Sequence, residues 1–189
     1  LIKDLSTAPR FFSPNNDGML DTTIVQYELT DACNVKIEFL DALGTVRRTA
    51  TASAPSPGVY TFIWDGKDGS GKVVADGAYT VRLTAVLASN SSITQTEMNS
   101  VIVDATMPTV DIKQPADGSY LKSDVTVTGS IADENLKEYS LTNSGTSLSL
   151  DSGNQNRLNY IFGTMSGLAE GNYTLTVKAS DLAGNTVLK

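Results

Sequence analysis

The residues of this chain with the clearest chemical potential are aspartates in glycine-containing stretches. Asn15, Asp17 and Asp21 surround Gly18 at short, alternating offsets. Carboxylate and amide oxygens at such offsets are typical ligands of Ca²⁺, and a glycine lets the backbone turn tightly around the ion. The same side chains can instead accept hydrogen bonds from their own backbone and form an Asx-turn before a strand. The stretch therefore predicts either a calcium loop or a turn.

A second aspartate-rich stretch, 65–77, contains Asp65 and Asp68 among five glycines and serines. Apolar residues alternate on both sides of it: Tyr60, Phe62 and Trp64 before, and Tyr79, Val81 and Leu83 after. Period-two alternation bounded by glycine and aspartate is typical of strand, turn and strand. The stretch is predicted to be a long loop of a β domain, with a cation as the chemistry its aspartates could support.

The amino-acid composition excludes most kinds of catalytic site. The 189 residues include no histidine and one cysteine, Cys33. Histidine-activated nucleophiles and ordinary histidine zinc sites are therefore excluded, and Cys33 is predicted to be a small core residue. A glycosidase needs two carboxyl groups facing one cleft. Glu28 and Glu38 lie on neighbouring predicted strands, but alternation places both on solvent faces, so we expect no enzyme.

The net charge and the hydropathy pattern exclude two classes of binding partner, nucleic acid and the membrane interior. The formal net charge is −7, which makes nucleic acid a poor partner because phosphate binding depends on clustered lysine and arginine. No apolar run approaches the roughly 20 residues that span a bilayer, so we expect no membrane insertion. The chain begins with neither Met nor a signal peptide, which predicts a piece of a longer or processed chain.

Short alternating segments recur about every 8–12 residues, a spacing typical of all-β sandwiches. The pattern predicts seven strands in the first half, at 5–12, 22–30, 33–41, 45–51, 59–64, 78–87 and 92–103. It predicts seven more in the second half, at 109–114, 124–131, 137–142, 146–150, 157–163, 172–180 and 185–189.

The two halves are predicted to be separate domains. Pro108 supplies no ladder donor and holds its neighbour extended, so it marks a linker between domains 1–104 and 105–189. In both halves a glycine turn delivers a tyrosine, Tyr79 or Tyr173, into a late alternating strand, as in the tyrosine corner of immunoglobulin (Ig)-like domains. We predict an all-β fold of two tandem immunoglobulin-like β-sandwich domains.

Several motifs carry a family resemblance. The first half contains FSPNNDG at 12–18, followed by Asp21, and FIWDGKD at 62–68, followed by Gly71, Gly77 and Tyr79. Residues 11–103 thereby resemble the Ig-like domain of flagellar hook-capping proteins and the C-terminal modules of secreted bacterial proteins, including those linked to gliding motility. The second half resembles bacterial Ig-like repeats through 103–108 and 179–185. The resemblance implies an Ig-like segment of a secreted or surface-exposed bacterial protein.

Strand alternation also predicts which loops meet. Loops 13–21 and 65–77 and the domain end at Asp104 fall at one pole, and loops 133–135 and 181–185 fall at the facing pole of the second domain. Carboxylates gathered in this way repel one another unless a cation bridges them. We expect Ca²⁺ as a cofactor, with its ligands drawn from Asn15, Asp17, Asp21, Asp65, Asp68, Asp104, Asp133 and Asp181, beside Glu134. The alternative is a solvated, flexible acidic joint.

These expectations define a function class. We predict a non-catalytic structural, spacer or adhesion segment of a larger extracellular or cell-surface bacterial protein. Its partners would be other domains of the same parent chain and a cell-surface protein or glycan. The alternative is an accessory carbohydrate- or substrate-binding module of a secreted hydrolase. Glycan binding needs exposed aromatic platforms, for which the candidates are Tyr120, Tyr139 and Tyr160; three further aromatic residues are predicted to be core: Trp64, Tyr79 and Tyr173.

Overall fold

The chain is all-β. In a computed structural model, residues 1–54, 56–122, 124–144 and 149–189 are described, and every regular element among them is a strand. None of these residues forms a helix with the length and apolarity that crossing a membrane requires. The chain divides into two compact units, Leu1–Ala105 and Thr106–Lys189, and each is described by itself.

The first unit is a sandwich of two sheets. One sheet has the order β1-β3-β6 and the other the order β2-β8-β7-β4-β5. All pairs are antiparallel except β2 with β8. The strands are β1 Ile2–Ala8, β2 Phe11–Phe12, β3 Thr23–Leu29, β4 Cys33–Leu40, β5 Val46–Ala54, β6 Gly58–Trp64, β7 Gly77–Leu87 and β8 Thr94–Val103.

The predicted first strand, 5–12, is in fact two strands in different sheets. The chain leaves the first sheet after Ala8 and joins β8 of the other sheet at Phe11. Pro9 lies between them and has no N–H group to continue a ladder. The switch places Phe12 in the centre of the core, where its side chain is fully buried.

The second unit repeats this plan. Its sheets have the orders β9-β10-β13 and β12-β11-β14-β15. The strands are β9 Thr109–Gln114, β10 Val125–Ala132, β11 Leu136–Asn143, β12 Ser149–Gly153, β13 Arg157–Met165, β14 Leu175–Asp181 and β15 Thr186–Leu188. The order β9-β10-β13 corresponds to β1-β3-β6 of the first unit, and the order β12-β11-β14-β15 corresponds to its β5-β4-β7-β8. The predicted strand 146–150 lies partly outside the described residues.

Aromatic packing fills the first core. Trp64 is fully buried, stacks on Phe39 at 4.1 Å between ring centroids and meets Phe12 and Tyr79 edge-on at 5.5 and 5.3 Å. Burying a large apolar side chain contributes about 1.5–3 kcal/mol, so this group anchors β6 and β7 on β4. Cys33 is buried in the same core, as the sequence predicts.

The second core is aliphatic at its centre. Val127, Ile131 and Leu141 are fully buried between the two sheets, beside Phe162. Tyr139 also points into this core, with 3% of its surface exposed. The alternation of β10 and β11 therefore supplies both inner faces, as period two requires.

Candidate functional site

The first candidate loop is closed by its own hydrogen bonds. The Asp21 carboxylate accepts the backbone N–H groups of Asn16 at 2.7 Å and Gly18 at 2.9 Å. Asp17 accepts the side-chain amide of Asn15 at 2.9 Å and donates its backbone N–H back to the Asn15 side-chain oxygen at 3.0 Å. This is the Asx-type geometry that the sequence offered as the alternative. Calcium binding by these three side chains stays a prediction.

The second loop uses Asp68 in the same way. Its carboxylate accepts the Ser70 hydroxyl at 2.7 Å and the backbone N–H groups of Ser70 and Lys72 at 2.9 and 3.0 Å. The hydrogen bond from the Ser70 side chain, followed by that from the Lys72 backbone, holds the pKa of Asp68 below its usual value. Three donors on one carboxylate fix the tip of the loop.

Asp65 lies at the start of the second loop, between two cations. Its carboxylate accepts the Lys67 N–H at 3.3 Å and lies 3.5 Å from the Lys67 ammonium and 3.9 Å from the Arg48 guanidinium. These groups are partly exposed, so the ion pairs contribute little stability. The Asp65 carboxylate is thus only weakly paired with the two cations.

The two loops and the end of the domain lie together, as strand alternation predicts. Gly66 packs on Pro14 of the first loop. The Asp104 backbone N–H donates to the Phe12 carbonyl at 3.0 Å, and the next residue donates to the Asp76 carboxylate at 3.0 Å. Asp104 is 5% exposed. Asp21 and Asp68 thus accept hydrogen bonds from their own loops, whereas the Asp76 carboxylate holds the end of the domain. Metal binding by Asp104 stays a prediction.

In the second unit, two predicted ligands approach each other. Carboxylate oxygens of Asp133 and Asp181 lie within 4.8 Å of one another, a separation that one cation can bridge. Asp181 is 1% exposed and accepts the Asn185 backbone N–H at 2.9 Å and its side-chain amide at 2.7 Å. Asp133 accepts the Asn135 N–H at 2.7 Å. Both aspartates therefore also organise their own loops.

Asn185 is a site residue that the sequence reasoning did not assign. Its side-chain amide donates to Asp181 at 2.7 Å and to the Thr106 carbonyl at 3.3 Å, and the residue is 1% exposed. The four-residue spacing from Asp181, with Gly184 between them, is the signal that could have revealed it. Glu134, in contrast, is exposed.

The three tyrosines predicted as platforms for glycan binding differ in their exposure to solvent. Tyr139 is wrong as a platform because its ring is buried and its hydroxyl donates to Asp151 at 2.9 Å. Tyr120 is fully exposed, and Tyr160 is 36% exposed with the Arg157 guanidinium carbon 4.5 Å from its ring centroid.

Of the three aromatics predicted to be core, Trp64 and Tyr79 are buried, but Tyr173 is only half-buried. Tyr173 precedes β14, because the predicted strand 172–180 begins only at Leu175. Its side chain is therefore not part of the second core.

Glu38 lies on the outer face of its sheet, as alternation predicts, since Ile37 and Phe39 face the core, but its side chain is not exposed there. Glu38 is 7% exposed because Lys36 and Arg82 fold over it at 3.2 and 3.0 Å. Burial alone raises the pKa of this carboxyl, but the hydrogen bonds and charges of Lys36 and Arg82 outweigh burial and lower it. Glu28 belongs to β3, in the other sheet, and pairs with Lys3 at 2.7 Å. These two carboxyl groups therefore face different surfaces and do not form a glycosidase pair.

Known proteins match both halves. The FlgD Ig-like domain family matches residues 16–89, and the bacterial Ig domain family matches residues 108–177. C5a peptidase of Streptococcus pyogenes is 37% identical over 115 residues. That match covers 52% of this chain and 10% of the peptidase, so the chain spans about a tenth of this curated relative.

Two solved structures are among those similar to this chain. Fibronectin(III)-like modules of CbhA from Clostridium thermocellum are 17% identical with a TM-score of 0.43, covering 98% of this chain and 90% of theirs. FlgD from Xanthomonas campestris, whose structure is described in terms of the hook capping essential for flagellar assembly, is 21% identical with a TM-score of 0.38, and the match covers 58% of this chain and 70% of that one. The two family matches and the two all-β units together show that the chain is a tandem of two Ig-like domains, the first similar to the FlgD Ig-like domain and the second similar to the bacterial Ig domain.

Proposed function

We propose that this chain is a non-catalytic spacer or adhesion segment of a larger extracellular bacterial protein. The observation that carries the proposal is the course of the first domain. The Leu1 amino group donates to the Gln95 side chain at 2.8 Å, near the start of β8, whereas Asp104 directly follows the end of β8. Entry and exit are therefore separated by the length of this strand, roughly 30 Å at 3.3 Å per residue.

The comparisons support this class of role. Ig-like domains are scaffolds whose function depends on grafted sites, and the aspartates found in this chain mostly brace their own loops. The matched part of C5a peptidase is a tenth of that protein, which is consistent with domains of this kind serving as parts of long chains. We infer that other domains of the parent chain are the primary partners.

Replacement in the full-length parent protein tests the spacer role. A spacer predicts that an unrelated pair of Ig-like domains of equal length restores function after residues 1–189 are deleted, whereas a flexible glycine–serine linker does not. Restoration by the flexible linker, or failure of the unrelated pair while both proteins are exported and folded, would overturn the proposal.

We further propose that Ca²⁺ binds between the carboxylates of Asp133 and Asp181. A buried carboxylate 4.8 Å or less from a second one favours a bridging cation, which would stabilise the second domain by mass action. We expect the melting temperature of the 189-residue chain to be a few degrees higher in millimolar Ca²⁺ than in EDTA. A shift of this size corresponds to roughly 1 kcal/mol of added stability.

A matched pair of variants locates this calcium effect. Asp181→Asn removes a carboxylate from the pair, so the calcium-dependent shift should vanish even though the variant also loses stability in EDTA. Asp117→Asn, an exposed aspartate of the same domain, should keep the full shift. Equal melting in calcium and EDTA for the unaltered chain would exclude the site.

A glycan-binding accessory module is the second candidate, and the fully exposed ring of Tyr120 favours it. In that case the chain should bind members of a glycan array, and Tyr120→Ala should abolish the binding while Tyr173→Phe retains it. An array without binding to the folded chain would exclude this role.

A further inference from the structure

The free edge of β6 is an unusual surface for this chain. Among the described residues, β6 hydrogen-bonds to β3 on one side only and forms an edge of its sheet. Its seven residues, Gly58–Trp64, include no charged side chain, although the chain carries a net charge of −7. Edge strands are usually protected by charges, prolines or bulges, and an uncharged, regular edge is a template for another strand.

The outer face of this edge is also apolar. Val59 and Ile63 are 59% and 60% exposed, and Ile63 lies opposite Ile24 of β3, which is 42% exposed. The inward rings of Tyr60 and Phe62 are only partly buried, because β6 has no neighbour beyond them. Both faces of the edge therefore offer apolar surface to an incoming strand.

The sequence of β6 is complementary to itself. In an antiparallel pair of two β6 strands centred on Thr61, the two Thr61 residues face each other. Val59 of one copy then faces Ile63 of the other, and Tyr60 faces Phe62. The cross-strand pairs on either side of the centre therefore join apolar side chains. Such pairs stabilise antiparallel strands, and the arrangement is a closed, isologous dimer.

Charge selects the antiparallel direction. The segment Asp65–Asp68, whose two aspartates and Lys67 give it a net charge of −1, follows the C-terminal end of β6, whereas uncharged Ser56 and Pro57 precede its N-terminal end. Antiparallel pairing holds the Asp65 residues of the two copies roughly 25 Å apart, beyond the Debye length of about 8 Å at physiological salt. Parallel pairing would place them side by side. We propose that β6 of one copy pairs antiparallel with β6 of a second copy and joins the two three-stranded sheets into one six-stranded sheet.

Cysteine cross-linking tests the register of this pair. Thr61→Cys places two thiols opposite each other at the centre of the dimer, with Cα atoms about 4.5–5.5 Å apart, which suits a disulfide. With an added oxidant, T61C should form a covalent dimer on a non-reducing gel. Thr96→Cys, an exposed position on the other sheet, should stay monomeric, and buried Cys33 serves as the internal background. Equal cross-linking of T61C and T96C would overturn the proposal.

Sedimentation equilibrium tests the interface without a covalent bond. The unaltered chain should populate a dimer as its concentration rises, and Ile63→Lys should weaken that dimer by at least ~10-fold, because a charge on the edge resists burial. Met98→Lys, on the other sheet with a comparable exposure of 62%, should leave it unchanged. Circular dichroism and melting confirm that both variants fold. A monomer at all concentrations would refute the pairing while leaving the spacer role intact.

Discussion

Gly66 lies so close to Pro14 that a Cβ atom built on Gly66 would stand 2.7 Å from Pro14 Cγ. The backbone of Gly66 has a φ of +66°, which disfavours any L side chain. The contact joins the two aspartate-rich loops of the first domain.

Gly66→Ala should destabilise the first domain by about 2–4 kcal/mol. This is the sum of two costs, that of a left-handed backbone conformation for alanine and that of overpacking against Pro14. Gly71 is the matched control, because its φ is +85° but a Cβ atom added there would have no neighbouring atom within 4 Å. Gly71→Ala should therefore cost only about 1–2 kcal/mol. Urea unfolding followed by Trp64 fluorescence measures both, since Trp64 is the one tryptophan of the chain. Equal losses would contradict the packing argument.

Removing either tyrosine-corner hydroxyl should weaken its own domain. The Tyr79 hydroxyl donates to the Ala75 carbonyl at 2.8 Å, and the Tyr173 hydroxyl donates to the Ala169 carbonyl at 2.8 Å. A hydrogen bond of this type contributes about 0.5–1.5 kcal/mol, so each tyrosine-to-phenylalanine change should lower the free energy of unfolding by that amount. Tyr120→Phe should change it by less than ~0.5 kcal/mol, because Tyr120 is fully exposed.

Acid should destabilise the first domain through Glu38. Its folded-state pKa lies below the ordinary value of 4.5, so its ionised form contributes stability above pH 4.5 that is lost as the pH falls through the folded-state pKa. Glu38→Gln should reduce this acid-dependent loss and cost about 1–2 kcal/mol at neutral pH, where Lys36 and Arg82 lose their counter-charge. Unfolding curves between pH 7 and pH 3 measure the effect. Glu97→Gln, exposed on the same sheet, should keep the acid dependence of the unaltered chain.

Tyr139→Phe should destabilise the second domain by about 1–3 kcal/mol. The buried Tyr139 hydroxyl accepts the Arg157 guanidinium at 2.9 Å and donates to Asp151 at 2.9 Å, so its removal takes a partner from two polar groups. Far-UV circular dichroism during urea unfolding follows both domains, and Trp64 fluorescence identifies which part of the transition belongs to the first domain. An unchanged circular dichroism transition would show that this network contributes nothing.

Local chemistry fixed much of the fold. The alternation of Tyr60, Phe62 and Trp64, and again of Tyr79, Val81 and Leu83, predicted strands and inward faces correctly because period two is a property of the extended backbone itself. The glycine and aspartate turns, and the tyrosines after them, likewise act within a few residues of chain. For the same reason the motifs sufficed to predict two Ig-like domains.

Several wrong predictions depend on residues distant in sequence. Glu38 is buried because Arg82, 44 positions away, joins Lys36 of its own strand in covering it. Glu28 and Glu38 separate because β3 and β4 enter different sheets. The alternation of β11 turns Tyr139 inward, and Asp151 and Arg157, 12 and 18 positions away, satisfy its hydroxyl there.

The sequence by itself determined the strands, the turns and the domain class, since these follow from backbone geometry and short-range hydrogen bonds. Only the tertiary structure decided how each aspartate is used. Asp21 and Asp68 are occupied by their own loops, whereas Asp133 and Asp181 meet across 48 positions of chain. That difference depends on the pairing of β11 with β14, which sets Leu136 opposite Asp181, because a carboxylate's partners are set by distance through the fold and not by spacing along the chain.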